Sequence, residues 1–285
     1  MINLRDIGMY YKKDIEDRYY QTFGKSLDLK EPMTFSEKIQ WLKIFGNTTR
    51  KAKYADKVAL RNIVEKCVGK EFCLPYISIY EKNHIEGITL KPNTILKCSH
   101  GSGMNIRIAD ITNRNVVLDR LRQFVNYDYS TKCFEPWYHF IRPRVIEEAI
   151  IDNKKEIKAW CFNGQVLIFE VFEILKNGIP RTSFYDLNWS FMDWLRPVKF
   201  CQLYRNNIPK PKFLEETVAL SSSLSKEFVF ARVDFIYNEK NLFVGEITFA
   251  PAAGFRQYKG EADRRLGELL SLVKEDESKI YYPDI

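Results

Sequence analysis

The sequence predicts an α+β protein, and three observations carry that expectation. The first fifty or so residues pattern as helices, paired β-branched and aromatic runs fill the C-terminal half, and short strands alternate with helices between them. The 285 residues are enough for one large domain or a few subdomains with a real core.

In chain order, Tyr10-Tyr11 to Tyr19-Tyr20 mix aromatic and charged residues in a helical stretch. Thr34-Phe35-Ser36-Glu37 is a capping box opening a helix through Ile39, Trp41, Leu42 and Phe45, which Gly46-Asn47 stops. Ala55-Asp56-Lys57 opens another helix, with Val58, Leu60, Ile63 and Val64 apolar, ending near Gly69. Leu74 to Tyr80 and Thr94 to Ser99 read as strands, the second carrying Lys97 among apolar neighbours. His100-Gly101-Ser102-Gly103-Met104-Asn105 follows. Its glycines let backbone N–H groups converge on an anion, and a plain turn fits the same letters. Neither the P-loop nor the dinucleotide fingerprint is present. A helix from about Asn115 to Tyr127 precedes the aromatic stretch Phe134 to Phe140, and Arg144 to Ile151 reads as a strand. Asn163-Gly164 joins Glu156–Phe162 to Gln165–Ile174 as a hairpin. Asp186 to Pro211 is loop-like, Phe213 to Phe228 is an amphipathic helix, and Glu261 to Lys274 is the last one.

The stretch richest in chemistry is a second hairpin, Ala231–Tyr237 and Leu242–Phe249. A three-residue turn, Glu239-Lys240-Asn241 with Asn241 left-handed, pairs Asp234 with Glu246 and Arg232 with Thr248 on one face. Directly paired carboxylates repel at about 5 Å between Cβ atoms, so such a pair calls for a cation. Oxygen ligands alone favour Mg2+. A four-residue turn would instead put Glu246 on the other face, and an edge hairpin with solvated acids is the competing reading.

Composition removes several classes of function. Hydrophobic content of 45% excludes a disordered chain, and no apolar run is long enough to span a bilayer. The charged N-terminus lacks a signal-peptide core, and Cys67, Cys73, Cys98, Cys133, Cys161 and Cys201 form no Cys-x-x-Cys. A reducing cytoplasm is the expected home. The net charge of +7 favours an anionic partner, while nucleic-acid motifs are absent. With three histidines in the chain, histidine catalysis has little support and His100 reads as structural.

Taken together, Thr34-Phe35-Ser36-Glu37-Lys38-Ile39-Gln40-Trp41-Leu42-Lys43, Ala55-Asp56-Lys57, Leu96-Lys97-Cys98-Ser99-His100-Gly101-Ser102-Gly103, Cys161-Phe162-Asn163-Gly164, Arg232-Val233-Asp234 and Gly245-Glu246-Ile247-Thr248-Phe249 acquire a family. In this order and spacing, from about Pro32 to Gly267, the chain resembles the TupA-like family within the ATP-grasp superfamily. The resemblance implies an ATP-grasp fold, two α/β subdomains enclosing the nucleotide. Its expected parts are a helical region over 1–54, a subdomain over 55–148 and a C-terminal subdomain over 149–285.

The resemblance also implies roles. Lys57 and Lys97 would neutralise phosphate charge, and Gly101, Ser102 and Gly103 would cover the phosphates in a mobile loop. Glu147 to Ile150 would be a hinge whose backbone reads adenine, with Glu148 as a side-chain contact. Glu156 would take the ribose hydroxyls. Asp234, Glu246 and Thr248 would hold Mg2+, and Arg232 would stabilise the transferred phosphoryl group. Lys158 matches a family position without an assigned role. Thr248 stands where the superfamily usually has asparagine, and Pro251-Ala252-Ala253-Gly254 departs from its usual Pro-Gly.

The implied activity is an ATP- and Mg-dependent carboxylate–amine ligase. Its expected partners are an amine or amino acid and an acidic sugar or glycan of the cell surface, with no nucleic acid and possible association with membrane-bound glycan machinery. A sugar phosphotransferase, a glycosyltransferase or a basic glycan-binding scaffold are the alternatives.

Overall fold

The computed structural model describes residues 7–109, 112–174, 180–199 and 208–272. The expected end of the last helix beyond 272, the N-terminal residues 1–6 and Cys201 lie outside them.

Five helices come first: α1 (Ile7–Tyr10), α2 (Lys12–Phe23), α3 (Phe35–Ile44), α4 (Thr48–Ala55) and α5 (Lys57–Cys67). The capping box at α3 forms in both directions: Glu37 N donates to Thr34 Oγ1 (3.2 Å) and Thr34 N donates to Glu37 Oε2 (2.9 Å). Asp56 separates α4 from α5 by its extended backbone and caps α5 by accepting from Val58 N at 3.0 Å. That cap places Lys57 at the first position of a helix.

Two antiparallel sheets follow. β1 (Tyr76–Glu81), β2 (Thr94–Cys98), β3 (Asn105–Ile108) and β4 (Arg144–Ala149) form a four-stranded sheet in the order β1-β4-β2-β3. Between β3 and β4 run α6 (Arg114–Asn126) and the single turn α7 (Ser130–Cys133). β5 (Lys155–Phe162), β6 (Gln165–Ile174), β7 (Pro180–Tyr185), β8 (Phe230–Tyr237) and β9 (Leu242–Thr248) form a five-stranded sheet in the order β7-β6-β5-β8-β9. α8 (Leu214–Ser225) precedes β8, and α9 (Ala262–Glu268) ends the described chain. The expected last helix stops earlier than its sequence pattern does. β7 was not anticipated: its polar Thr182 and Ser183 hide it, and Pro180 is tolerated because this is an edge strand.

Each sheet has its own core. Leu96, Cys98, Val117, Leu121, Val125 and Val145 pack the four-stranded sheet against α6. The larger core lies on the five-stranded sheet around the fully buried Trp160, whose ring sits 5.4 Å from Phe35, 5.7 Å from Phe230 and 5.9 Å from Phe184. Truncating such an aromatic costs about 3–5 kcal/mol. α4 and α5 contribute Ala52, Ala55, Leu60 and Val64 to this same core. The helix that opens on Lys57 is thus anchored beneath the five-stranded sheet while its first turn reaches the other one.

Both hairpin turns are informative. Asn163 and Gly164 take positive φ of 52° and 79°, as a two-residue primed turn requires. The β8–β9 turn differs from its expectation. Tyr237 pairs with Leu242, so the loop has four residues, and Asn241 is not left-handed. Asn238 sets the turn instead, its Oδ1 accepting from Lys240 N and Asn241 N, each at 2.9 Å. A four-residue loop alone would turn Glu246 away. Gly245 prevents this: the register shifts there as a bulge, and Asp234 pairs with Glu246 and Arg232 with Thr248 after all.

Candidate functional site

The strand pairing sets two rows of side chains across the five-stranded sheet. Lys158, Asp234 and Glu246 occupy one row, and Trp160, Arg232 and Thr248 the next. Arg232 grips Asp234 with both ends of its guanidinium: Nε donates to Oδ1 and Nη2 to Oδ2, each at 2.6 Å. Nη2 also approaches Thr248 Oγ1 at 3.4 Å, and Lys158 Nζ lies 3.5 Å from Asp234 Oδ2.

A cleft of about 390 Å3 opens between this surface and the four-stranded sheet. From the latter sheet come Ile95 and Lys97 of β2, with Glu148 opposite Ile95 on β4. Lys97 Nζ pairs with Glu148 Oε2 at 2.6 Å. Lys57 reaches in from α5 and donates to the carbonyl of Gly101 at 2.7 Å. The 101–104 turn links β2 to β3, where Cys98 N donates to Met104 O at 2.9 Å. Gly101 is required by close approach, since a Cβ there would meet Met104 Cε at 2.3 Å and Tyr129 Cδ2 at 2.7 Å. Gly103 is required by its φ of 74°. Apolar Leu74, Ile150, Ile151, Phe235 and Ile236 share the lining of the cleft with its charged residues.

The electrostatics centre on Glu246. Burial would raise its carboxyl, but Lys57, Arg232, Lys158 and Lys97 outweigh burial and hold it below the usual range. Asp234 moves the other way: burial dominates and raises it, with Glu246 adding to the rise, although Arg232 and Lys158 oppose. Four cations from α5, β2, β5 and β8 thus converge on the two carboxylates.

Of the expected residues, Lys57, Lys97, Gly101, Ser102, Gly103, Glu148, Ile150, Glu156, Lys158, Asp234 and Glu246 line the cleft. Arg232 and Thr248 sit in the adjoining row. Glu147 is not brought in: it pairs with Leu96 on the opposite face of β4, accepts from Tyr80 Oη at 2.9 Å and lies 3.6 Å from Lys91 Nζ. Ile150 N already donates to Asn93 O at 3.1 Å, and Glu156 pairs with Lys154 at 3.0 Å. His100 is structural, as expected. It is buried with Nε2 3.1 Å from Phe124 O, and burial pulls its pKa down.

Three buried charged groups behind the carboxylates escape the sequence reading. Glu170 of β6 bridges Arg256 Nη1 (2.9 Å) and Arg232 Nη1 (3.7 Å) and accepts from Trp160 Nε1 (2.9 Å). Burial alone would raise it, but Arg256 and Arg232 hold it at about 2. Lys43, fully buried on α3, donates to Cys133 O at 3.0 Å and Ala253 O at 3.1 Å, and burial pushes its pKa down to about 7. Glu135 is pushed up to about 8 by burial, with Glu246 adding to the rise and Lys43 opposing it. A lone charge inside an apolar run, as in Trp41-Leu42-Lys43-Ile44-Phe45 or Ile168-Phe169-Glu170-Val171-Phe172, was the available signal.

The model of the family described as TupA-like ATPgrasp matches residues 37–271. The chain belongs to this family. Its fold is accordingly α+β ATP-grasp, with the cleft between the two sheets. No curated protein matches the sequence. Among solved structures, it is similar to D-alanine–D-alanine ligase from Bacillus anthracis complexed with ATP, at 16% identity and a TM-score of 0.46, over 72% of this chain and 58% of that one. It is also similar to VanG D-Ala:D-Ser ligase from Enterococcus faecalis, at 12% identity and a TM-score of 0.47, over 78% and 61%. The chain spans about three-fifths of the length of these structures. Among the described residues no helix is long and apolar enough to cross a membrane.

Proposed function

We propose that the protein is an ATP- and Mg-dependent ligase that joins a carboxylate to an amine through an acyl phosphate. The observation that carries this reading is the cleft between the sheets, where Lys57, Lys97, Lys158 and Arg232 act on Glu246 and the last two also on Asp234. Phosphates are the natural complement of such a set, and the apolar residues of the lining suit a base.

The donor set fits Mg2+. Asp234 and Glu246 supply carboxylate oxygens and Thr248 a hydroxyl, a set made of oxygen donors alone. Mg2+ is commonly held by one or two carboxylates together with phosphate oxygens and water, and when bound it would neutralise charge on the phosphates.

The chain's own residues do the rest. Lys57 and Lys97 offset phosphate charge, and Gly101 to Gly103 offer backbone N–H groups over it. The Asp234 grip orients Arg232 beside the reacting phosphoryl group. A substrate carboxylate oxygen would attack the γ-phosphorus and ADP would leave. An amine nitrogen would then attack the acyl carbon, release phosphate and lose a proton. No enzyme nucleophile is needed, because positioning and charge neutralisation supply the catalysis. An acidic sugar or glycan of the cell surface as the acid, and an amino acid as the amine, follow the family resemblance and suit the basic chain, and a cytoplasmic location agrees with its need for ATP.

Hydroxylamine trapping tests the reaction. The protein is incubated with MgATP, hydroxylamine and each of a panel of uronic and amino acids. A hydroxamate together with ADP, both requiring one acid, is expected. ADP formation yielding a phosphorylated sugar and no hydroxamate would replace the ligase with a phosphotransferase.

A further inference from the structure

A second pocket, of about 580 Å3, lies beside Arg256, and its lining residues are distinct from those of the cleft. Arg18 and Thr22 of α2, Lys199, Arg256 and Gln257 line it, and no carboxylate of the described residues does. Its walls are fastened together. Gln257 Nε2 donates to Thr22 O at 2.5 Å, and Val198 N donates to Gln257 O at 2.8 Å. Lys259 N donates to Arg196 O at 2.7 Å and continues that seam.

The pocket's charge is not balanced. Arg256 is answered by Glu170 at 2.9 Å. Arg18 and Lys199 are exposed, and no carboxylate of the described residues forms an ion pair with either. Two exposed cations therefore line a concave space with no ion-pair partner among the described residues. A chain of side chains, Arg256, Glu170, Arg232 and Asp234, each joined to the next at 2.9, 3.7 and 2.6 Å, runs from the wall of this pocket to the wall of the cleft.

We propose that this pocket binds the acid partner of the reaction, and that this acid carries a second anionic group, held by Arg18 and Lys199. The proposal rests on the ligase reading and adds the location and charge of its substrate. A protonated amine would be repelled by the same cations, so the amine enters elsewhere. Only one carboxylate is activated: its oxygen bonds to the γ-phosphorus as the bond to ADP breaks. The second anionic group stays unchanged as the anchor.

Calorimetric titration of the full chain in the presence of MgADP tests this. The probes are three matched pairs differing by one anionic group: glutarate against butyrate, 3-phosphoglycerate against glycerate, and glucuronate 1-phosphate against glucuronate. At least one doubly charged acid is expected to bind about tenfold or more tightly than its counterpart, and Arg18→Glu and Lys199→Glu should each remove that preference. Arg18→Gln and Lys199→Gln, which only neutralise, should reduce it and serve if a reversal fails to fold. No charge preference in any pair, or a preference that survives both substitutions, overturns the proposal. MgATP stabilisation of the same preparations separates the two readings. If the parent lacks it, the ligase reading itself fails; if it is present without a charge preference, only the anionic-acid pocket fails.

Discussion

Asp234 and Glu170 both answer Arg232, yet they sit in different surroundings. Glu170 lies in the interior, between two arginines and the Trp160 N–H, and its charge is fully satisfied. Asp234 and Glu246 lie at the wall of the cleft, where Lys57, Lys97 and Lys158 add positive charge. Balanced buried charge fixes geometry, whereas surplus charge facing a cleft awaits a ligand. Substitutions should therefore separate the two regions, one moving stability and the other nucleotide binding.

The largest effect is expected at Glu170. Glu170→Gln leaves Arg232 and Arg256 without their counter-charge and should cost about 3–5 kcal/mol, read by urea unfolding. Its pH dependence has a definite sign. The carboxyl titrates at about 2 in the folded protein against an ordinary 4.5. Its contribution is therefore present above about pH 4.5 and lost as the pH falls towards 2, so the variant's acid limb should be shallower. An unchanged acid limb would contradict the assignment.

Next in size is Lys97. Lys97→Met removes the partner of Glu148 and one of the cations lining the cleft, and should weaken MgATP about tenfold or more, the scale of one charge-assisted hydrogen bond. Equilibrium binding of a fluorescent ATP analogue measures it, and urea unfolding should move far less than for Glu170→Gln.

The smallest effect sharpens the contrast from outside both regions. Thr34→Ala breaks the capping box of α3 and should cost about 1 kcal/mol, with MgATP affinity unchanged within error. A loss of affinity there would mean that the cleft is not separable from the helical layer.

Local chemistry made much of this visible in the sequence. The capping box and the Asn163-Gly164 turn are signals contained within a few residues, and each formed, while Lys57, Lys97 and the acidic hairpin, far apart in the chain, line one cleft. The Asp234–Glu246 pairing was reached through the wrong turn. A three-residue loop gives that register, but the chain uses four residues and restores it with the Gly245 bulge, and a glycine within a strand was the sign of it. Glu147 and Glu148 were indistinguishable as letters, and strand alternation sends only Glu148 to the cleft. Lys43 with Glu135, and Glu170 with Arg256, are brought together only by tertiary packing, the second pair from 86 residues apart in sequence.

The central claim is that the cleft between the sheets is an MgATP site built on the Asp234–Glu246 pair. Thermal unfolding with and without MgATP, on the parent and on Glu246→Gln, tests it most directly. At nucleotide a hundredfold above its dissociation constant, linkage stabilises the parent by about 2.7 kcal/mol, and the variant should lose most of that gain. An equal rise in both proteins, or none in the parent, would contradict the claim.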